Sequence, residues 1–291
     1  MSKYWRKREK EHMRKRERDT KVIARRLRES QERVLADVEM RINSFYGKYA
    51  TSEGITIAEA RKRADKVDIN RYKKREKSAY KDLNELAQQD LKLFNLTTRI
   101  SRLELLKADL RLSLLKGSTA QDKIMQQNTL RYAKSEYKHQ GGQMAQLATY
   151  NAGQLDKVVN ASFHSATWSD RIWNNQQALI TEIERHVENN LVQGRGARKY
   201  VSEIRKSFDV SYYEAERLMR TEMARVHTDV FIDSMEQNGY SKYEFIAEPT
   251  ACKICSGLDG EVFELKDASI GDNMPPIHPN CMCATTSVYE D

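Results

Sequence analysis

All four cysteines and all four prolines of this chain lie in its last 43 residues, and the 248 residues before Pro249 contain neither type. That distribution divides the chain in two. Without proline, the long N-terminal stretch meets no obligatory break in a helix. The tail must turn often, and it holds too few apolar residues to fold on a core of its own. It reads Cys252-Lys-Ile-Cys255, a glycine-containing turn, then Pro275-Pro276-Ile-His278-Pro279-Asn-Cys281-Met-Cys283.

Length and composition suit this division. A chain of 291 residues is long enough for two domains. Its 39% hydrophobic and 32% charged content fits long helices with one narrow apolar stripe. The expected fold class is mainly α: an elongated helical body over 1–193, then a small α+β C-terminal domain over 194–291. No run of about 18 apolar residues suggests a membrane span. The opening Met1-Ser-Lys-Tyr-Trp-Arg-Lys-Arg lacks the apolar segment of a secretory signal. A reducing compartment is therefore expected, where paired cysteines more often hold metal than form disulfides.

Charge is unevenly placed. Residues 1–30 hold 13 Lys/Arg against 5 Asp/Glu, a net of +8, while residues 244–291 hold 2 against 9, a net of −7. The basic arm is a candidate contact for duplex DNA or an acidic protein surface, with Tyr4 and Trp5 at its tip as anchors. It is equally read as a solvated helix face. The tail's own field would repel phosphate.

Leu27, Val34, Val38, Ile42, Phe45 and Tyr49 recur at helical steps and predict one helix from about Tyr4 to Tyr49, roughly 70 Å long at 1.5 Å per residue. After a break at 47–54, Thr56-Ile-Ala-Glu59 has capping-box spacing and opens a short helix to about Ala64. The leucines 93, 96, 103, 106, 110 and 114, with Ile100, predict a second long helix from about Asn70 to Lys116, ended by Gly117. Ser118 or Thr119 then caps a helix through Lys138. Residues 143–193 read as further helix, with Trp168 and Trp173 buried, and Gly194-Arg-Gly196 as the next break. Over 197–238 the spacing predicts a helical hairpin, turning at Asp209-Val-Ser211. Beyond Gly239 the period changes to that of strands, around Tyr243–Ala247, Glu261–Phe263 and Thr285–Tyr289, forming a small sheet within 243–291.

Cys252, Cys255, His278, Cys281 and Cys283 are the candidate metal ligands. A tetrahedral zinc site takes four N or S donors, so the tail offers one more than it needs. Proline pairs stiffen the return of the second half. A sulfur-rich set favours a structural zinc over a catalytic one. Two disulfides or free thiols are the alternatives, and which four donors bind stays open. On the preceding helix, Arg220, Glu222, Arg225 and His227 form a dense polar run. Read as chemistry, Glu222 is a general base and His227 a ligand or proton carrier. Read as structure, the run positions the tail. His12, His139, His164 and His186 sit in polar helical contexts and carry no pattern.

Arg220-Thr221-Glu222 with His227, the following strand, Cys252-x-x-Cys255, Leu258-Asp-Gly260, Val262-Phe263 and Pro275-Pro276-x-His278-Pro279-x-Cys281-x-Cys283 together resemble the Mu F-like phage head morphogenesis family, the minor head or minor capsid proteins of tailed bacteriophages. The resemblance covers about residues 195–291. Met282 departs from it, standing where an Arg is common. The resemblance implies a structural protein rather than an enzyme. It implies a place inside the capsid after assembly in the host cytoplasm, and the portal protein as partner. Scaffold or major capsid protein and DNA are further partners, and assembly or DNA delivery is the task. Two other functions compete: a metal-dependent nuclease or transferase using Glu222 and His227, and a zinc-containing DNA-binding module reading with the 195–238 helices.

Overall fold

A computed structural model describes residues 2–50, 55–93, 100–144, 150–162, 165–193 and 197–289 of the chain. The expected fold class holds. Nine α-helices are found among the described residues: α1 Ser2–Tyr49, α2 Ile57–Ala60, α3 Lys66–Tyr80, α4 Glu85–Leu93, α5 Arg102–Gln143, α6 Ala152–Val159, α7 Trp168–Val192, α8 Ala197–Asn238 and the short α9 Lys253–Gly257. Three strands, β1 Lys242–Ile246, β2 Val262–Glu264 and β3 Ala284–Ser287, form one antiparallel sheet in the order β2-β1-β3. Tyr243 faces Phe263 on one side and Ser287 on the other, and Phe245 faces Thr285. No helix among the described residues is long and apolar enough to cross a membrane.

The chain forms two compact units that do not follow its linear order. The first unit takes residues 1–26, 124–168 and 215–291, and the second takes 27–123 and 169–214. A single cut at 193 therefore does not separate them, because α1, α5 and α8 each contribute residues to both.

In the second unit the apolar stripe of α1 behaves as its spacing predicts. Leu27, Val38, Ile42 and Phe45 are buried, and the last three pack with Leu106, Leu110 and Leu114 of α5, Ile183 of α7 and Ile204 of α8. Ionic pairs surround this core. Arg75 Nη2 lies 2.6 Å from Asp37, and Arg111 binds Asp90 through two nitrogens at 2.6 and 2.7 Å.

Three expected breaks differ. The predicted helix over 70–116 is instead α3, α4 and the first third of α5. Asn84 Oδ1 accepts from the Ala87 N–H at 3.0 Å and starts α4, and Ser101 with Glu104 closes a reciprocal capping box that starts α5. The expectations at Gly54, Leu96, His164 and 194–196 fall outside the described residues. The hairpin over 197–238 is not formed: α8 runs through Asp209-Val-Ser211 without a turn. That triplet contains no Gly or Pro, and Gln31 Nε2 donates to Ser211 Oγ at 3.1 Å, giving the serine a partner within the helix.

Gly117 is the third difference. It sits inside α5 rather than ending it, and a Cβ there would lie 2.7 Å from Val34 Cγ2. The glycine lets two helices approach closely. Ser118 and Thr119 then bond back to the Leu115 carbonyl at 2.9 and 3.0 Å instead of capping a new helix. Gly117→Ala gains about 1 kcal/mol of helix propensity but overpacks against a stiff β-branched side chain, at about 1–3 kcal/mol. Urea unfolding should show net destabilisation by about 1 kcal/mol. The same change in a Val34→Ala background should be stabilising. A Gly117→Ala protein more stable than the parent would show that close approach is not the reason for the glycine.

Candidate metal centre

The first unit builds its tail around the sheet and α9. Cys252 lies just ahead of α9 and Cys255 within it. His278 and Cys281 come from the returning loop, and Cys283 immediately precedes β3. The loop is fixed from α8: Thr228 Oγ1 donates to the Pro275 carbonyl at 2.6 Å, and the Asn280 N–H donates to Thr221 Oγ1 at 2.9 Å. Asn280 holds a positive φ of 74°, a conformation Asn tolerates better than most residues.

This folding brings all five predicted donors together. His278 Nε2 lies 3.3 Å from Cys252 Sγ and 3.4 Å from Cys255 Sγ, and Cys255 Sγ lies 4.0 Å from Cys281 Sγ. The donor atoms of Cys252, Cys255 and His278 fall within 4.8 Å of one another, as do those of Cys255, Cys281 and Cys283. Tetrahedral zinc with bonds of about 2.3 Å to sulfur and 2.0–2.1 Å to nitrogen separates S/N and S/S pairs by about 3.6 and 3.8 Å, so the spacing fits. His278 Nδ1 sits 2.9 Å from the Pro279 carbonyl. That contact needs a proton on Nδ1, which leaves the Nε2 lone pair directed at the two thiols.

The thiols are not equivalent. The Cys255 backbone N–H lowers Cys252. A hydrogen bond with Cys283 lowers Cys281 to about 6, and the same bond together with burial pushes Cys283 far up. Burial and the neighbouring Cys281 raise Cys255 to about 12. Cys283 also accepts from the Glu248 N–H at 3.5 Å. Cys255 belongs to both donor groups, one with Cys252 and His278 and the other with Cys281 and Cys283.

The basic arm belongs to this unit as well. Arg6 pairs with Glu244 of β1 and lies 2.5 Å from Asp259, and the Trp5 ring stacks on Tyr289 at 6.2 Å. Arg16 is fully buried; it donates to the Met282 carbonyl and, at 2.9 Å, to the Cys283 carbonyl. Part of the arm's charge is therefore spent on the chain's own acidic tail. Lys7, Lys10, Arg14, Lys15, Arg18, Lys21, Arg25 and Arg26 remain exposed.

The polar run on α8 is interior. Arg225 binds Glu222 at 2.7 Å, pairs with Asp229, and donates to the Val158 carbonyl at 2.8 Å at the end of α6. Arg220 reaches Glu248 of the tail only at 3.9 Å. Glu222 and His227 are both fully buried, which removes them from contact with a substrate in solution.

His227 faces residues in which the sequence reading saw no pattern. Glu9 and His12 of α1 and Glu136 and His139 of α5 converge on it. His227 Nδ1 is 3.0 Å from Glu136 Oε1, His139 Nε2 is 2.9 Å from Glu9 Oε2, and the rings of His12 and His139 stack at 3.5 Å. Burial alone would raise Glu9, but His12 and His139 beside it hold it well below the carboxylate range; Glu136 is lowered likewise by His12 and His227. Burial keeps His227 below the usual imidazole value. One signal was available: Glu-x-x-His occurs at 9–12 and again at 136–139, placing both side chains on one helix face.

With this geometry in place, comparison with known families matches residues 181–286 to Phage Mu protein F like protein. Comparison with the curated proteins and with the solved structures gives no match.

The two arginines of the arm should behave differently. Arg6→Ala removes partly exposed ion pairs and should cost about 0.5–1 kcal/mol, an effect that fades in high salt. Arg16→Met leaves two carbonyls without their charged donor and should cost about 2–4 kcal/mol at any salt. Denaturant midpoints at low and high salt separate them; equal, salt-sensitive losses would contradict the buried role of Arg16.

Proposed function

We propose that this chain, whose residues 181–286 match the Phage Mu protein F like family, is a phage head morphogenesis protein that serves as a structural minor head component inside the capsid, seated against the portal. The observation that carries this reading is the family match over 181–286, together with the tail architecture found there. The polar residues an enzyme would use, Glu222 and His227, are consumed inside the fold. That favours a structural task over a nuclease or transferase. A DNA-reading hairpin over 197–238 loses its basis, because α8 is one uninterrupted helix.

The tail's Cys252, Cys255, His278 and Cys281 hold a structural zinc in this proposal. Such an ion adds a staple to the small apolar clusters around Tyr243 and Phe245. The exposed lysines and arginines of α1 form the surface that meets packaged DNA, by releasing counterions from phosphates rather than by reading bases.

Four measurements test the reading. Full-length protein should co-purify with the portal protein from infected or co-expressing cells, and its deletion should give particles defective in assembly or DNA delivery. Fully infectious particles lacking it would end the proposal. Native mass spectrometry should find zinc in the wild-type tail, lost in Cys252→Ser/Cys255→Ser together with the tail's protection from proteolysis. DNA affinity should fall steeply with salt and weaken when Lys10, Arg14 and Arg18 become Gln; a salt-independent affinity would exclude the phosphate contact.

A further inference from the structure

Neither the tail nor a head-protein role explains why α1, α5 and α8 bury two carboxylates and three imidazoles against one another. The groups are Glu9, His12, Glu136, His139 and His227, all within the first unit. Glu9, Glu136 and His227 are fully buried, and the His12 side chain is 9% exposed. A Glu-x-x-His pair on each of two facing helices is the device by which helix bundles build carboxylate–histidine metal sites. Here it occurs on α1 and α5, and α8 supplies a further imidazole.

The atoms are directed inward. Glu9 Oε1 lies 3.6 Å from His12 Nδ1 and 3.9 Å from His227 Nε2, and the ligand atoms of these three residues fall within 4.8 Å of one another. These separations are too long for hydrogen bonds. They are close to the about 3.4 Å that a tetrahedral ion imposes on N and O donors at about 2.0–2.2 Å. His12 Nδ1 and His227 Nε2 are buried and make no hydrogen bond.

The tautomer of His227 sharpens this. Its Nδ1 faces Glu136 Oε1 at 3.0 Å, an acceptor, so Nδ1 carries the proton. In the neutral ring Nε2 is then a bare lone pair aimed at a carboxylate. That lone pair lies 3.9 Å from Glu9 Oε1, a separation two ligands of one ion can take. The remaining two residues sit where supporting groups belong. Glu136 orients His227 from behind, and His139 Nε2 holds Glu9 at its other oxygen, 2.9 Å away. With the imidazoles neutral, the two carboxylates outweigh the single guanidinium of Arg16, leaving a negative pocket suited to a cation.

We propose that Glu9, His12 and His227 bind one first-row divalent transition-metal ion, with Glu136 and His139 positioning those ligands. Two imidazoles and a carboxylate select zinc, manganese or iron over calcium or magnesium, which prefer all-oxygen sets. The ion would fasten the first turns of α1 to α5 and α8. It is chemically distinct from the thiolate site in the tail, and it does not depend on the head-protein reading.

The test uses the full chain without an affinity tag, stripped with a chelator, reloaded with Co(II) and dialysed. Cobalt content is measured by plasma mass spectrometry and ligation by absorption. A thiolate site gives intense sulfur-to-cobalt charge-transfer bands; a nitrogen–oxygen site gives only weak d–d bands. Wild type should hold two ions per chain and show both classes. Cys252→Ser/Cys255→Ser should keep one ion and lose the charge-transfer bands. His12→Asn should drop by one ion and keep them. One ion in wild type, with charge-transfer bands present, would overturn the inference, leaving a proton on His12 as the occupant. So would a folded His12→Asn protein with unchanged cobalt content. One ion with d–d bands alone would support the inference and instead remove the zinc tail. Because wild type by itself gives a decision, misfolding of a variant does not block it.

Discussion

A carboxylate withdrawn from water without a counter-charge destabilises a small unit by several kcal/mol, and the first unit withdraws three, Glu9, Glu136 and the Arg225-paired Glu222, to zero exposure. Its helices can pack only in an arrangement that answers those charges. Arg16 is the other pivot of that arrangement. It lies near Glu9 and Glu136 and donates from Nη2 to the Met282 and Cys283 carbonyls. The start of α1 is thereby bound to the same few residues that end the cysteine-rich segment. An apolar core would tolerate small shifts of register; this one ties each helix to particular partner atoms.

The contrast with the second unit is instructive. There the interior is aliphatic and aromatic, and charge sits beside it in partly buried pairs such as Arg75 with Asp37 and Asp109. Along α1 the buried stripe continues without a change of period from Leu27 back through Ala24, Thr20, Arg16, Met13 and Glu9. What changes is its chemistry. The helix does not pass from core to free arm; it passes from an apolar interior to a polar one.

That change explains what could and could not be read from the chain. Apolar periodicity located the face of α1 from Leu27 onward and the strands at Tyr243–Ile246 and Val262–Glu264, because in those segments burial follows hydrophobicity. The convergence of Cys252, Cys255, His278, Cys281 and Cys283 was legible from spacing, since Cys and His at such intervals have few other uses. The first turns of α1 looked like a solvated basic arm because its buried positions are Glu, His and Arg, types that usually mark a surface. Gly117 looked like a helix end because a glycine that stops a helix and a glycine that admits a neighbouring Val side chain are the same letter. Ser211 and Asp209 suggested a turn, yet no steric rule forbids either within a helix, and packing decided.

The tail's dependence on a staple also looks different once Arg16 is considered. A thiolate-bound ion would stiffen the segment Cys252–Cys283, and the Met282 and Cys283 carbonyls at its end are the acceptors of a fully buried guanidinium on α1. Disorder in the tail would leave that guanidinium without acceptors beside Glu9 and Glu136, so the cost of losing the tail's order is borne partly inside the helices. By linkage, whatever binds and orders the tail stabilises the packing of α1, and whatever fixes α1 against α5 and α8 favours the ordered tail. Such coupling makes the basic face of α1 and the compact tail fold as one object, although they lie at opposite ends of the sequence.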